Sequence, residues 1–150
     1  MKYLLLILTI TSLSTVYGQE GTDTLTYVRT EIIVPDGCSA KSKYEVMDCN
    51  GFSAQWLYLK QEMIEQNVDK QLFSQLEKQF NYSKKYDLNF KSQNQDFKGF
   101  KYKMKNGTTR ILGLGKVDDQ WLILNLGFDK GPKKNSDLSE FEKNFIEFEK

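Results

Sequence analysis

The chain has no histidine, two cysteines and two prolines among 150 residues. Without histidine the commonest general base is missing, and neither a Ser-His-Asp nor a Cys-His arrangement can be assembled. Structural zinc sites take four ligands, normally Cys or His, and Cys38 and Cys49 are the only residues of either type. Redox pairs favour Cys-x-x-Cys, whereas these two stand far apart in PDGCSAKSKYEVMDCNG. No apolar run reaches the 18 or so residues of a spanning helix; the longest occupies residues 4–13. Neither charge dominates, with 21 Lys/Arg against 20 Asp/Glu. Such neutrality argues against a dedicated nucleic-acid or anionic-membrane binder, whose mark is a strongly basic balance.

What is present first suggests an address. MKYLLLILTITSLSTVYGQE carries one cation at Lys2, an apolar run, a Ser/Thr segment, and small residues at Val16 and Gly18. This is the pattern of a secretory signal peptide over residues 1–18, leaving residues 19–150 as one domain with a single core. A lipid anchor would need a cysteine just after the apolar run, and the first is Cys38. In an oxidising compartment cysteines pair and persist, so Cys38 and Cys49 are expected to form a structural crosslink, with two free thiols as the alternative. Closing a loop of about a dozen residues is worth roughly 3 kcal/mol at best in the chain-entropy model.

Residues 24–34, TLTYVRTEIIV, are rich in β-branched side chains and stop at the turn signal Pro35-Asp36-Gly37, which predicts one or two strands. FSAQWLYLK, residues 52–60, alternates as another strand. From Asn67 the period changes: Val68, Leu72, Leu76 and Phe80 recur every four residues, with Phe73 beside them. This predicts an amphipathic helix capped by Asn67 and ending by Asn81.

DFKGFKYKMKNGTTRILGLGKVDDQWLILNLGF holds two hairpin signals. Taken as a two-residue type I′ turn, Asn106-Gly107 sets Met104 opposite Thr109 and Tyr102 opposite Ile111. A second turn at Asp118-Asp119 pairs Val117 with Gln120 and Gly113 with Leu124. Combining the registers puts Phe100, Tyr102, Met104, Ile111, Val117, Leu122, Leu124, Leu126 and Phe128 on one face. The other collects Lys101, Lys103, Lys105, Arg110 and Lys116 together with Leu112, Leu114, Trp121 and Ile123. A face half apolar needs a cover. Gly113 and Gly115 suggest bending, or a large neighbour packed where no side chain intervenes. Leu138, Phe141, Phe145 and Phe148, following a cap at Ser136 or Asp137, predict a final helix to supply that cover. The expected fold is therefore α+β, an antiparallel sheet with a helix on each face in a three-layer α/β/α sandwich.

The strand ending in IIVPDG, the helix DKQLFSQLEKQF, the antiparallel strands above and the closing SEFEKNFIEF together resemble the PsbP-like family, related to the Mog-type and DcrB-type proteins. The resemblance covers most of residues 19–150. It implies a sheet sandwiched between helices and a non-enzymatic binding or assembly role, and it transfers no functional residue.

Other chemistry is thin. GFSAQ lacks the last glycine of a serine elbow, and GLGK at residues 113–116 lacks both the earlier glycine and the following Ser/Thr of a phosphate loop. Asp118-Asp119 is the densest carboxylate pair, but at a hairpin tip it reads as a turn former. DKGPKKNSD lacks calcium-loop spacing. No metal or cofactor is expected. Asn81 and Asn106 each begin an N-glycosylation pattern.

The basic row remains. In the register above Lys103 faces Arg110, which is unfavourable, so Glu140, Glu142, Glu147 and Glu149 of the final helix are expected to neutralise it. The sharper alternative is a partner-binding face for an acidic protein or polyanion, made of Lys101, Lys103 and Arg110 with Leu112 and Trp121 as apolar anchors. The functional expectation is a secreted or periplasmic non-enzymatic protein that binds another protein or an envelope component. An inhibitor or immunity-type protein acting on a toxin or hydrolase is the alternative. A small-molecule carrier or carboxylate hydrolase, which needs an enclosed pocket, is the third.

Overall fold

The computed structural model describes residues 23–149; the expected signal peptide at residues 1–18 lies outside them. The strands are β1 (Thr24–Tyr27), β2 (Thr30–Ile33), β3 (Ala40–Ser42), β4 (Glu45–Cys49), β5 (Phe52–Leu59), β6 (Tyr82–Ser92), β7 (Gln95–Met104), β8 (Thr109–Val117), β9 (Gln120–Phe128) and β10 (Glu147–Phe148). Two helices, α1 (Gln61–Glu65) and α2 (Val68–Lys78), separate β5 from β6. Strands β3 to β10 form one antiparallel sheet in the order β10-β6-β7-β8-β9-β5-β4-β3, and β1 and β2 form a separate hairpin.

This corrects the expected three-layer sandwich, and with it the architecture that the PsbP-like resemblance implies. Among the described residues strand accounts for 51% and helix for 17%, and no α-helix lies on the second face. That face is covered by the β1–β2 hairpin and the C-terminal segment. Tyr27 of the hairpin meets Trp56 and Phe145 edge-on at 5.1 and 5.4 Å and shares a 2.8 Å hydrogen bond with Ser92.

The final helix is replaced by single 3₁₀ turns at Asn135–Asp137 and Glu142–Asn144 and by β10. Two asparagine side chains compete with it locally. Asn144 Nδ2 donates back to the carbonyls of Glu140 and Phe141. Asn135 accepts from Phe148 N at 2.6 Å and donates to its carbonyl at 2.9 Å, closing the segment on itself. Ser139 and Glu142 form a capping box, but the turn it starts ends at Asn144. Phe145 and Ile146 are both fully buried. The buried position expected of Phe145 is kept without the helix.

The hairpin registers also divide. At Asp118-Asp119 both residues have positive φ, 44° and 65°, and Val117 pairs with Gln120 as expected. At Asn106-Gly107 only Gly107 has positive φ, 90°. Asn106 Oδ1 accepts instead from the amide and hydroxyl of Thr108, Gly107 N donates to Met104 O, and Met104 N to Thr108 O. This is a three-residue loop with a glycine bulge. The added residue shifts the register by one, so Tyr102 pairs with Arg110 and Phe100 with Leu112. A one-residue slip exchanges faces, so Tyr102 and Leu124 lie on opposite sides, in separate cores.

The expected close packing at the two glycines is present. A Cβ on Gly113 would lie 2.5 Å from the Phe90 ring, and one on Gly115 would lie 2.4 Å from that of Phe97. Helix α2 begins after Asn67 as expected, but Asn67 has φ 57° and makes no side-chain cap; its Oδ1 accepts from Lys70 Nζ. Cys38 and Cys49 form a disulfide that ties the β3–β4 end of the sheet. A disulfide fits an oxidising extracellular environment, and no helix among the described residues is long and apolar enough to cross a membrane.

Candidate functional site

The five residues expected to form one partner-binding face are split by the one-residue shift. Arg110, Leu112 and Trp121 belong to the α2 side of the sheet; Lys101 and Lys103 belong to the opposite side. Leu112 is fully buried. Trp121 Nε1 donates to Gln61 Oε1 at 3.0 Å. The Arg110 guanidinium lies 5.9 Å from the Phe80 ring centre and donates to Asn125 Oδ1 at 3.4 Å, and burial holds its pKa below the usual value. Lys103 pairs with Thr109 across β8, not with Arg110. Lys101 donates to Pro132 O. Two of the four final-segment carboxylates are engaged elsewhere, Glu140 with Lys143 and Glu142 as a cap on Ser139, and none of the four forms an ion pair with Lys101, Lys103 or Arg110 among the described residues.

A different site is built on the α2 side. Positions 69, 70, 73, 74 and 77 fall on one flank of α2 by helical spacing, presenting Asp69, Lys70, Phe73, Ser74 and Glu77 to a groove of about 620 Å³. Its far wall is the sheet: Asp87 and Asn89 of β6, Lys98, Gly99 and Phe100 of β7, and Leu114 of β8. Cross-strand pairing sets that wall, because Asp87 lies opposite Phe100 and Asn89 opposite Lys98. Phe73 and Phe100 meet edge-on at 6.3 Å and form the apolar floor.

At one end Glu77 Oε1 accepts from Lys85 Nζ at 2.7 Å and from the Tyr82 hydroxyl at 3.1 Å. The same ammonium sits 3.9 Å from the Phe100 ring centre, a cation–π position. Beneath it Tyr102 is buried, its hydroxyl without a partner among the described residues. Burial, then the charge of Glu77, raises its phenol well above the usual range. At the other end Asp69 is 7% exposed, and its Oδ1 has no partner among the described residues. Leaving such an oxygen unsatisfied costs about 1–3 kcal/mol or more. Its position in the first turn of α2 offsets part of that through the helix dipole.

The groove opens beside a free strand edge. β10 pairs only with Phe90 and Lys91, so among the described residues the outer edge of β6 has no partner strand over residues 82–89. Lys84 and Lys85 on that stretch are the kind of charge that discourages indiscriminate strand pairing.

No family model, curated protein or solved structure matches the chain, and function is therefore read from the site itself. The sequence carried two overlooked signals for it. Asp69 stands one helical turn before Phe73 on the flank of the apolar stripe, and Tyr86, Leu88 and Phe90 alternate as a strand that leads into Gln93-Asn94. Those two residues have φ of 50° and 62°, which makes them a further two-residue hairpin turn.

Proposed function

We propose that this is an exported, disulfide-stapled binding protein without catalytic chemistry, and that its partner, another polypeptide, engages the groove between α2 and the β6–β7 strands. The observation that carries this reading is an aromatic-floored groove, open along a strand edge that no other strand pairs among the described residues, containing a buried carboxylate oxygen at Asp69 that has no partner among them. An extended segment laid along such an edge gains main-chain hydrogen bonds, while its alternate side chains enter the groove. The signal-like pattern of residues 1–18 and the Cys38–Cys49 disulfide support export.

The test is photo-crosslinking in the native compartment. p-Benzoylphenylalanine is installed in place of Ser74 on the groove rim, and at Ile33, which is exposed on the β1–β2 hairpin, as a control. The expected result is a discrete protein adduct from position 74 alone, lost when Asp69→Lys is added. The same adducts from both positions, or adducts indifferent to Asp69→Lys, would remove the groove as the binding element. The volume, about 620 Å³, also lies in the range of small-molecule sites; an adduct of small mass would establish a carrier instead.

A further inference from the structure

On the face opposite the groove, the chain leaving β9 folds back over the end of β7 and β8. Gly131 makes the close approach possible, since a Cβ there would lie 2.2 Å from Thr109 Oγ1. The result is a cleft of about 320 Å³ lined by Ser83, Lys101, Lys103, Met104, Gly107, Thr109, Gly131 and Lys133, with three ammonium groups and no carboxylate. A fourth cation, Lys84, lies directly opposite Lys103 across the β6–β7 ladder, an arrangement that costs stability.

Four ion pairs occur among the described residues, and none includes Lys84, Lys101, Lys103 or Lys133. Asp137, whose charge is felt at Lys101 and Lys133, lies outside the lining and accepts through Oδ2 from the amides of Lys133 and Lys134 at 2.9 and 3.3 Å. Lys101 is the most constrained of the set. It gives one N–H to Pro132 O, which leaves two donors. Burial, and then the charges of Lys103 and Lys133, lower its proton affinity, with Asp137 opposing them. Three cations around one cleft that no carboxylate lines, with Lys101 half-buried among them, attract a multivalent anion more strongly than the same residues spread over an open surface.

We propose that this cleft is an oxyanion site, in which a dianionic tetrahedral phosphate or sulfate group seats between Lys101, Lys103 and Lys133. It lies apart from the groove, so its failure would leave the groove reading intact and the reverse also holds.

The test is an amide chemical-shift titration of the ¹⁵N-labelled, disulfide-bonded protein. The probes are inorganic phosphate, inorganic sulfate and glycerol 3-phosphate, with sodium chloride at matched ionic strength as control. Saturable shifts are expected at residues 101, 103, 107, 131 and 133, absent with chloride. Lys133→Met, at an exposed position, should weaken binding about five- to tenfold, while Lys134→Met, outside the lining, should leave it unchanged. Phosphate binding should tighten as pH rises through its second ionisation, near 6 for phosphate esters, and sulfate binding should not. Glycerol 3-phosphate binding as tightly as inorganic phosphate assigns the site to esterified groups; weaker ester binding assigns it to the free anion, and either order supports the cleft. Shifts that never saturate, or equal losses from Lys133→Met and Lys134→Met, would overturn the proposal by showing diffuse charge attraction only.

Discussion

The two faces of the eight-stranded sheet are closed by different means and to different extents. On the hairpin side Leu25, Tyr27, Phe52, Phe90, Phe97 and Phe145 are all at most 1% exposed. On the α2 side the helical residues Leu72, Phe73 and Leu76 are only partly buried. Geometry explains the contrast. A helix is about 10 Å across, whereas adjacent strands are spaced about 4.8 Å apart, so α2 can roof only two or three of the eight strands. A hairpin with an irregular tail can instead spread over the sheet and deliver an aromatic wherever a gap remains. Helix α2 leaves grooves along its flanks, and the one of about 620 Å³ is the candidate site.

The sharpest way to break this comparison is a pair of truncations. Phe145→Ala empties a fully enclosed position and should cost about 3–5 kcal/mol. Phe73→Ala, on the half-open side, should cost roughly 1–2 kcal/mol. Urea unfolding of both variants checks this, and equal losses would mean that the two faces are equally closed.

Next in size is Gly115→Ala. Its Cβ would press on the Phe97 ring at 2.4 Å, and overpacking of this kind costs about 1–3 kcal/mol. Thermal unfolding should show a lower Tm that Phe97→Leu partly restores in the double variant. The absence of rescue would place the strain in the backbone of β8 and not in the ring.

The smallest expected effect is a pH slope. Tyr27 on the hairpin side, facing Ser92 and Tyr58, and Tyr102 on the α2 side, facing Glu77, Tyr82 and Lys85, are both raised above the ordinary 10.0, chiefly by burial. Each native phenol keeps its proton where the unfolded chain would lose it. The stability they contribute is therefore intact below pH 10 and falls as pH climbs beyond it, by at most about 1.4 kcal/mol per pH unit for each group. Tyr27→Phe and Tyr102→Phe should each flatten the decline measured by urea unfolding between pH 9 and 11. A slope unchanged by Tyr102→Phe would show that water reaches this hydroxyl on the half-open side.

Much of the local structure could be read in advance, because local signals decide it. The four-residue recurrence from Val68 to Phe80 marks α2, and Pro35-Asp36-Gly37 marks the end of β2. The Asp118-Asp119 turn gives its register correctly. The candidate site was not legible, because it depends on which residues share a face. That was decided at Asn106, whose side chain bonds Thr108 and enlarges the turn by one residue. The displaced register moved Tyr102 and Phe100 under α2 and left Lys101 and Lys103 on the other face, beside Lys133. The C-terminal aromatics misled for a similar reason, since their spacing suits a helix while Asn135 and Asn144 tie up the backbone that a helix would need.

The sequence by itself determined strands β1, β2, β5, β7, β8 and β9, the amphipathic helix, the pairing of the only two cysteines and the lack of any histidine-based chemistry, because these follow from residue type and short-range spacing. Only the tertiary structure decided what covers each side of the sheet, which carboxylate is left without a partner and where the lysines collect. Those outcomes depend on register and on long-range packing, where a single extra residue in a turn sends every following side chain to the opposite surface.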